Sequence, residues 1–260
     1  MRDILKQLAQ GQITVDEAEK SIRILELMEV ENLAQLDIGR EFRKGIPEII
    51  LAEGKPPEQT GQIALAMVQK QGHVVVSRAD DAHFRSIRKI MPSTIHIMES
   101  AHARIVVLRK AGFAPYDFGG RVGILAAGTS DMPIAEEAKI LSIEMGCHVL
   151  EEYDVGVAGV HRLFPPLKQM LEEQVDVLVV VAGREGALPS LVAGLVDIPI
   201  IAVPTSIGYG FGEKGTAALA AMLQACPLGL AVVNIDAGIA AGAIAALIAN
   251  RAAKARASKE

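Results

Sequence analysis

At 260 residues, half of them apolar but only 3 % aromatic, the chain can bury one large domain or a medium and a small one, with cores of Val, Ile, Leu and Ala. A net charge of −5, with no basic run except Arg251 to Lys259, argues against a surface that tracks nucleic-acid phosphates. The longest apolar stretch, Ile235 to Ile248, is broken by Asp236 and falls short of the roughly 20 residues that span a bilayer, so no membrane partner is expected.

Along the chain, Thr14-Val15-Asp16-Glu17 reads as a capping box that opens a helix carrying Ile22, Leu25 and Met28 on one face. Leu33 to Ile38 and Ile46 to Leu51 read as strands around the charged segment Asp37 to Gly45. Further strands are predicted at His73 to Ser77, Thr94 to Met98 and Arg104 to Leu108. The Gly- and Pro-containing stretch Gly112 to Gly120 separates this smaller α+β domain, residues 1–115, from a second domain at 120–260. There, Val122 to Ala126, Cys147 to Tyr153, Val175 to Ala182, Pro199 to Val203 and Gly229 to Val233 are short aliphatic runs, each followed by a small-residue loop and a helical stretch. Five such units imply an α/β fold with a doubly wound parallel sheet, whose ligands bind beyond the carboxyl ends of the strands.

The loops after those runs hold the chemistry-bearing residues. Gly128-Thr129-Ser130-Asp131 precedes Pro133. Either Ser130 or Asp131 caps the next helix, or Gly128 admits a ligand whose phosphate the hydroxyls and helix terminus hold while Asp131 acts on the reacting group. His161 is a loop histidine beside Arg162, which could clamp a phosphate or carboxylate. Arg184 and Glu185 follow an intensely apolar run. They form a surface ion pair, or burial raises the carboxylate's pKa and suits Glu185 to proton transfer.

There are two cysteines, without Cys-x-x-Cys spacing, so no structural zinc is expected. Met1 to Lys6 lacks the apolar core of a signal peptide, which points to a reduced, cytoplasmic chain. Cys147 opens a strand and reads as core. Cys226, between a helix and a strand, reads as an inert thiol or as a nucleophile.

In this order the loops resemble the purine carboxylase and mutase family that acts on aminoimidazole ribonucleotide. Ala127 to Asp131 matches its Gly-Ser-x-Ser-Asp loop, Gly159-Val160-His161-Arg162 matches its Ser-Ala-His-Arg segment in part, and Val203-Pro204-Thr205-Ser206 matches its Pro-Val loop. The similarity runs from about Arg121 to Ile248. Two departures point to a different substrate. Gly186-Ala187-Leu188-Pro189-Ser190 lacks the family's histidine, and Gln224-Ala225-Cys226-Pro227 stands in place of its Gln-Met-Pro segment.

Both departures look like the LarB family, the pyridinium-3,5-biscarboxylic acid mononucleotide synthases of nickel-pincer cofactor biosynthesis and lactate racemase maturation. So do the Asp37 to Glu48 segment with Arg40, Arg43, Gly45 and Pro47, Gly119-Gly120-Arg121, Arg184-Glu185-Gly186, and Val232 to Asp236. The resemblance implies a purine-carboxylase-like catalytic domain that carboxylates the pyridinium ring of nicotinic acid adenine dinucleotide, using CO2 or bicarbonate, and splits the phosphoanhydride to release AMP.

It further implies Cys226 as nucleophile and Glu185, Asp131 and His161, in that order, as candidates for the base. Gly128, Thr129, Ser130, Arg162, Gly183, Arg184, Ser206, Gly208, Gly210, Asn234 and Asp236 would hold the substrate, with Arg40 and Arg43 from the N-terminal half. No tightly bound cofactor and no protein metal ligand are expected, magnesium being left open as an aid. A homo-oligomer is expected, eight subunits being the size in the purine relatives. The competing readings are an aminoimidazole ribonucleotide carboxylase or mutase with an extra domain, and a non-enzymatic nucleotide-sensing module.

Overall fold

The structure is a computed structural model that describes residues 2–24, 27–30, 34–37 and 39–258. The chain divides into two compact units, Met1–Ala114 and Pro115–Glu260.

In the first unit, α1 (Arg2–Ala9) and α2 (Val15–Ile24) precede an antiparallel hairpin of β1 (Leu27–Val30) and β2 (Ala34–Asp37). The capping box forms: the Glu17 amide donates to Thr14 Oγ1 at 3.2 Å and the Thr14 amide to Glu17 Oε2 at 2.8 Å. The helix does not run on as its apolar spacing predicts. Leu25 lies outside the described residues and Met28 stands in β1, where pairing with Leu36 overrides a periodicity resting on three positions. Leu33 and Ile38, the ends predicted for the next strand, also lie outside the described residues.

The charged segment winds into a short helix, α3 (Arg40–Lys44), ended by Gly45 at φ +67°. Pro47 cannot donate to a ladder, so β3 is only Ile49–Leu51. Then come α4 (Pro57–Gln71), β4 (His73–Ser77), α5 (Asp81–Ile90), β5 (Ile95–Ser100) and β6 (Ile105–Lys110). The mixed sheet has order β3-β4-β6-β5, and α4 and α5 seal its core through Met67, Ile87, Val74, Val76 and Leu108.

The second unit is the expected parallel α/β sheet. Its strands are β7 (Gly120–Ala126), β8 (Cys147–Glu152), β9 (Val177–Ala182), β10 (Ile200–Pro204) and β11 (Leu230–Val232). Its helices are α6 (Met132–Glu144), α7 (Phe164–Glu172), α8 (Ala187–Ala193), α9 (Thr216–Leu223) and α10 (Gly238–Ala257). Every strand pair is parallel, in order β11-β10-β9-β7-β8. All residues of β9 and β10 are buried, which is why these strands read as unbroken Val and Ile runs. Helix α10 lies against α6 at Gly242, where a Cβ would come within 2.6 Å of the Ala138 carbonyl oxygen.

Cys147 is core, as its context predicts. Its thiol donates to Asn250 Oδ1 at 3.2 Å, and burial pushes its pKa up to about 12, which keeps it protonated and inert.

Candidate functional site

Between β7 and β9 the strand order reverses, and the loops leaving the carboxyl ends of the sheet diverge around a crevice, as a switch point requires. The crevice is a cavity of about 860 Å³ walled by the loops after β7, β8, β9 and β10.

Asp131 forms its floor and is 5 % exposed. Asp131 makes no side-chain capping bond to α6. Its Oδ2 accepts from the Gly128 amide at 3.0 Å and its Oδ1 from the Thr205 hydroxyl at 2.7 Å, tying the first loop to the end of β10. Burial holds the carboxyl above the ordinary aspartate range, with the charge of Asp236 adding to it. The bonds from Thr205, Gly128 and the Gly183 backbone oppose the rise without cancelling it.

Two glycines let the loops around the floor pack closely. A Cβ on Gly183 would come within 2.5 Å of the Ile207 carbonyl oxygen, 2.6 Å of Thr205 Oγ1 and 3.1 Å of Asp131 Oδ1. A Cβ on Gly156 would strike the Ala127 carbonyl oxygen at 2.6 Å, the same atom that accepts from the Gly156 amide at 2.8 Å.

The rim is built by Arg184 and the loop after β10. The Arg184 amide donates to the Ile207 carbonyl at 3.0 Å, and its guanidinium carbon stands 4.2 Å from the centroid of the Tyr209 ring. The pairing holds the Tyr209 phenol below the ordinary tyrosine range, a bond from Arg184 being the main cause. Behind the loop, the Ser206 amide donates to Asp236 Oδ1 at 2.8 Å, so Asp236, at φ +55°, acts as a bracket for the wall.

Of the residues singled out by sequence, the cavity brings together Gly128, Ser130, Asp131, Gly183, Arg184, Glu185, Ser206 and Gly208. Glu185 is not buried. Positive φ at Arg184 and Gly186 turns the loop away from the buried strand and leaves Glu185 exposed, so the desolvation expected there is found at Asp131. Thr129 and Gly210 sit on exposed parts of their loops and do not line the cavity. Asn234 is spent locally, its Oδ1 accepting from the Ile235 amide at 2.9 Å.

His161 and Arg162 are exposed on the 3-10 segment Val157–Arg162, where Arg162 pairs with Asp154. Cys226 is exposed on the connection from α9 to β11, which returns the chain to the amino end of the sheet, opposite the cavity loops. In the first unit, Arg40 pairs with Glu48 at 3.2 Å, and Arg43 donates to Asp37 Oδ1 at 3.0 Å.

Thr205 and Tyr209 were not singled out from the sequence. Thr205 is the first residue beyond β10 and is fully buried. Tyr209 lies between two glycines beyond a buried strand, which is the available signal for a side chain displayed at a rim.

Residues 121–259 match the AIR carboxylase family, and residues 28–110 match a LarB/PurE-like N-terminal domain. The chain is 44 % identical over 251 residues to the uncharacterized protein MJ0165 of Methanocaldococcus jannaschii, covering 96 % of each. It is 28 % identical over 130 residues to an N5-carboxyaminoimidazole ribonucleotide mutase of Thermotoga maritima, covering 48 % of this chain and 74 % of the relative. For the mutase of the same name from M. jannaschii the figures are 33 % over 117 residues, 44 % and 69 %.

Proposed function

The chain belongs to the AIR carboxylase family, and from that premise we propose that it carboxylates the pyridinium ring of nicotinic acid adenine dinucleotide and cleaves the phosphoanhydride, for nickel-pincer cofactor biosynthesis. The observation that carries this reading is a buried carboxylate of raised pKa, Asp131, at the floor of a cavity lined by glycines and rimmed by an arginine. The LarB/PurE-like match over residues 28–110 supports the choice of substrate over an imidazole nucleotide. So does the third loop, which carries Arg184 and Glu185 and no histidine.

A pyridinium ring is electron-poor and does not attack CO2. Addition of a thiolate to a ring carbon conjugated with the nitrogen converts the ring to an enamine, and the neighbouring carbon then forms a C–C bond to CO2. A base takes the proton from that carbon. The released electron pair expels the thiolate and restores aromaticity. Cys226 is the thiol, and Asp131 is the base that burial favours, ahead of the exposed Glu185 and His161. Since Cys226 and the cavity lie at opposite ends of one sheet, the thiol comes from a neighbouring copy in a homo-oligomer. Arg184 and the Gly128 loop hold the diphosphate, and water attacks it to release AMP. Among the described residues no three His, Cys, Asp or Glu side chains converge to hold a metal ion.

The test is to incubate the purified protein with nicotinic acid adenine dinucleotide and bicarbonate and to follow product masses. AMP and a dicarboxylated pyridinium mononucleotide are expected. Turnover of N5-carboxyaminoimidazole ribonucleotide without either product would return the chain to the activity named for its mutase relatives.

A further inference from the structure

We propose that Tyr209, backed by Arg184, is the stacking platform for the second base of the dinucleotide, the adenine, at the cavity rim. The inference rests on the dinucleotide reading above and assigns the half of the substrate that does not react. Tyr209 is 76 % exposed yet held: the Arg184 guanidinium covers its ring at 4.2 Å, and the Arg184 amide is tied to Ile207 two residues earlier. The outcome is an aromatic plane fixed in position and open to solvent. The ring face turned away from Arg184 is left for something flat to cover.

The geometry of the ligand supplies that cover. A dinucleotide has two rings joined through a diphosphate. The reacting ring must reach the buried Asp131 at the floor, so the diphosphate and the other base extend toward the rim. There the Arg184 guanidinium, suited to the diphosphate, lies over one face of the Tyr209 ring and leaves the other face to a neutral heteroaromatic base. Gly208 and Gly210, at φ +158° and +75°, let the loop present Tyr209 beside Arg184, a path that residues with a Cβ adopt only under strain.

Binding of AMP, nicotinic acid mononucleotide and the intact dinucleotide to the full chain, measured by calorimetry, tests the assignment. Tyr209→Ala should weaken AMP and the dinucleotide roughly ten- to hundredfold, the loss expected when one base-stacking ring is removed. It should leave the mononucleotide, which has no adenine, within about twofold on the same ground. Tyr209→Phe keeps the plane and should retain AMP affinity.

The platform is overturned if wild-type protein does not bind AMP or if Tyr209→Ala leaves AMP binding intact. Equal weakening of mononucleotide and dinucleotide would also overturn it, as would loss of all binding together with a change in assembly mass, which would make Tyr209 an interface residue. The two readings fail separately. Tyr209-dependent AMP binding without carboxylation sinks the reaction alone, and carboxylation with an unchanged KM in Tyr209→Ala sinks the platform alone.

Discussion

Asp131 is a base only when ionised, and Thr205 is the side chain that favours its ionised form. The Thr205 hydroxyl donates to Oδ1 at 2.7 Å from a fully buried position, where water cannot replace it. Burial already holds the pKa above the ordinary value, so activity should climb with pH as the carboxyl loses its proton. In Thr205→Val one of the opposing bonds is gone, the carboxyl rises further, and the acidic limb of kcat should shift to higher pH. Activity should recover above that limb, and Thr205→Ser should restore the wild-type profile. A uniform loss of kcat at every pH would make Thr205 a packing residue instead. The sequence singled out the loop of Asp131 but expected the burial at Glu185, because an apolar run announces a buried strand and says little about how far beyond its end burial extends. Thr205 was missed for the same reason, being one residue beyond the end of β10 and still fully buried.

At the scale of elements, the aliphatic strands were legible to within a few residues, since strands covered on both faces admit little but Val, Ile, Leu and Ala. No helix was assigned at α4, whose buried positions include Thr60 and Gly61 beside Ile63, Ala64, Met67 and Val68, a face too mixed to show a clear stripe. What the pattern also hid is how closely the loops approach one another. Gly183 is one such close approach, since its missing Cβ leaves room for Ile207, Thr205 and Asp131 together. Gly183→Ala should push the wall and floor apart, cost roughly 1–3 kcal/mol of stability as overpacking does, and reduce kcat/KM out of proportion to that cost. Thermal unfolding and steady-state kinetics on one preparation check it. An alanine variant with unchanged kcat/KM would show that the floor tolerates the displacement and that the glycine serves folding alone.

Over the whole molecule, the cavity and the thiol lie at opposite ends of one parallel sheet, and this separation turns a chemical proposal into a question of assembly. The connection bearing Cys226 presents Leu223 and Leu228 at 66 % and 92 % exposure, apolar surface that a second copy could cover. If the neighbour's thiol enters each cavity, Cys226→Ser and Asp131→Asn damage different subunits of one composite site. Each variant alone should be inactive, and Cys226→Ser should also lose the absorbance of the dihydropyridine adduct. Mixed, unfolded and reassembled together, they should recover roughly a quarter of wild-type carboxylation, because in a random closed assembly that fraction of sites pairs an intact Asp131 with an intact Cys226. Cys147→Ser should change nothing in this assay, its thiol being buried and protonated. A mixture that co-assembles by mass yet stays inactive would show that the thiol does not act between subunits. Since the fold keeps it from the cavity within one chain, carboxylation would then need another nucleophile.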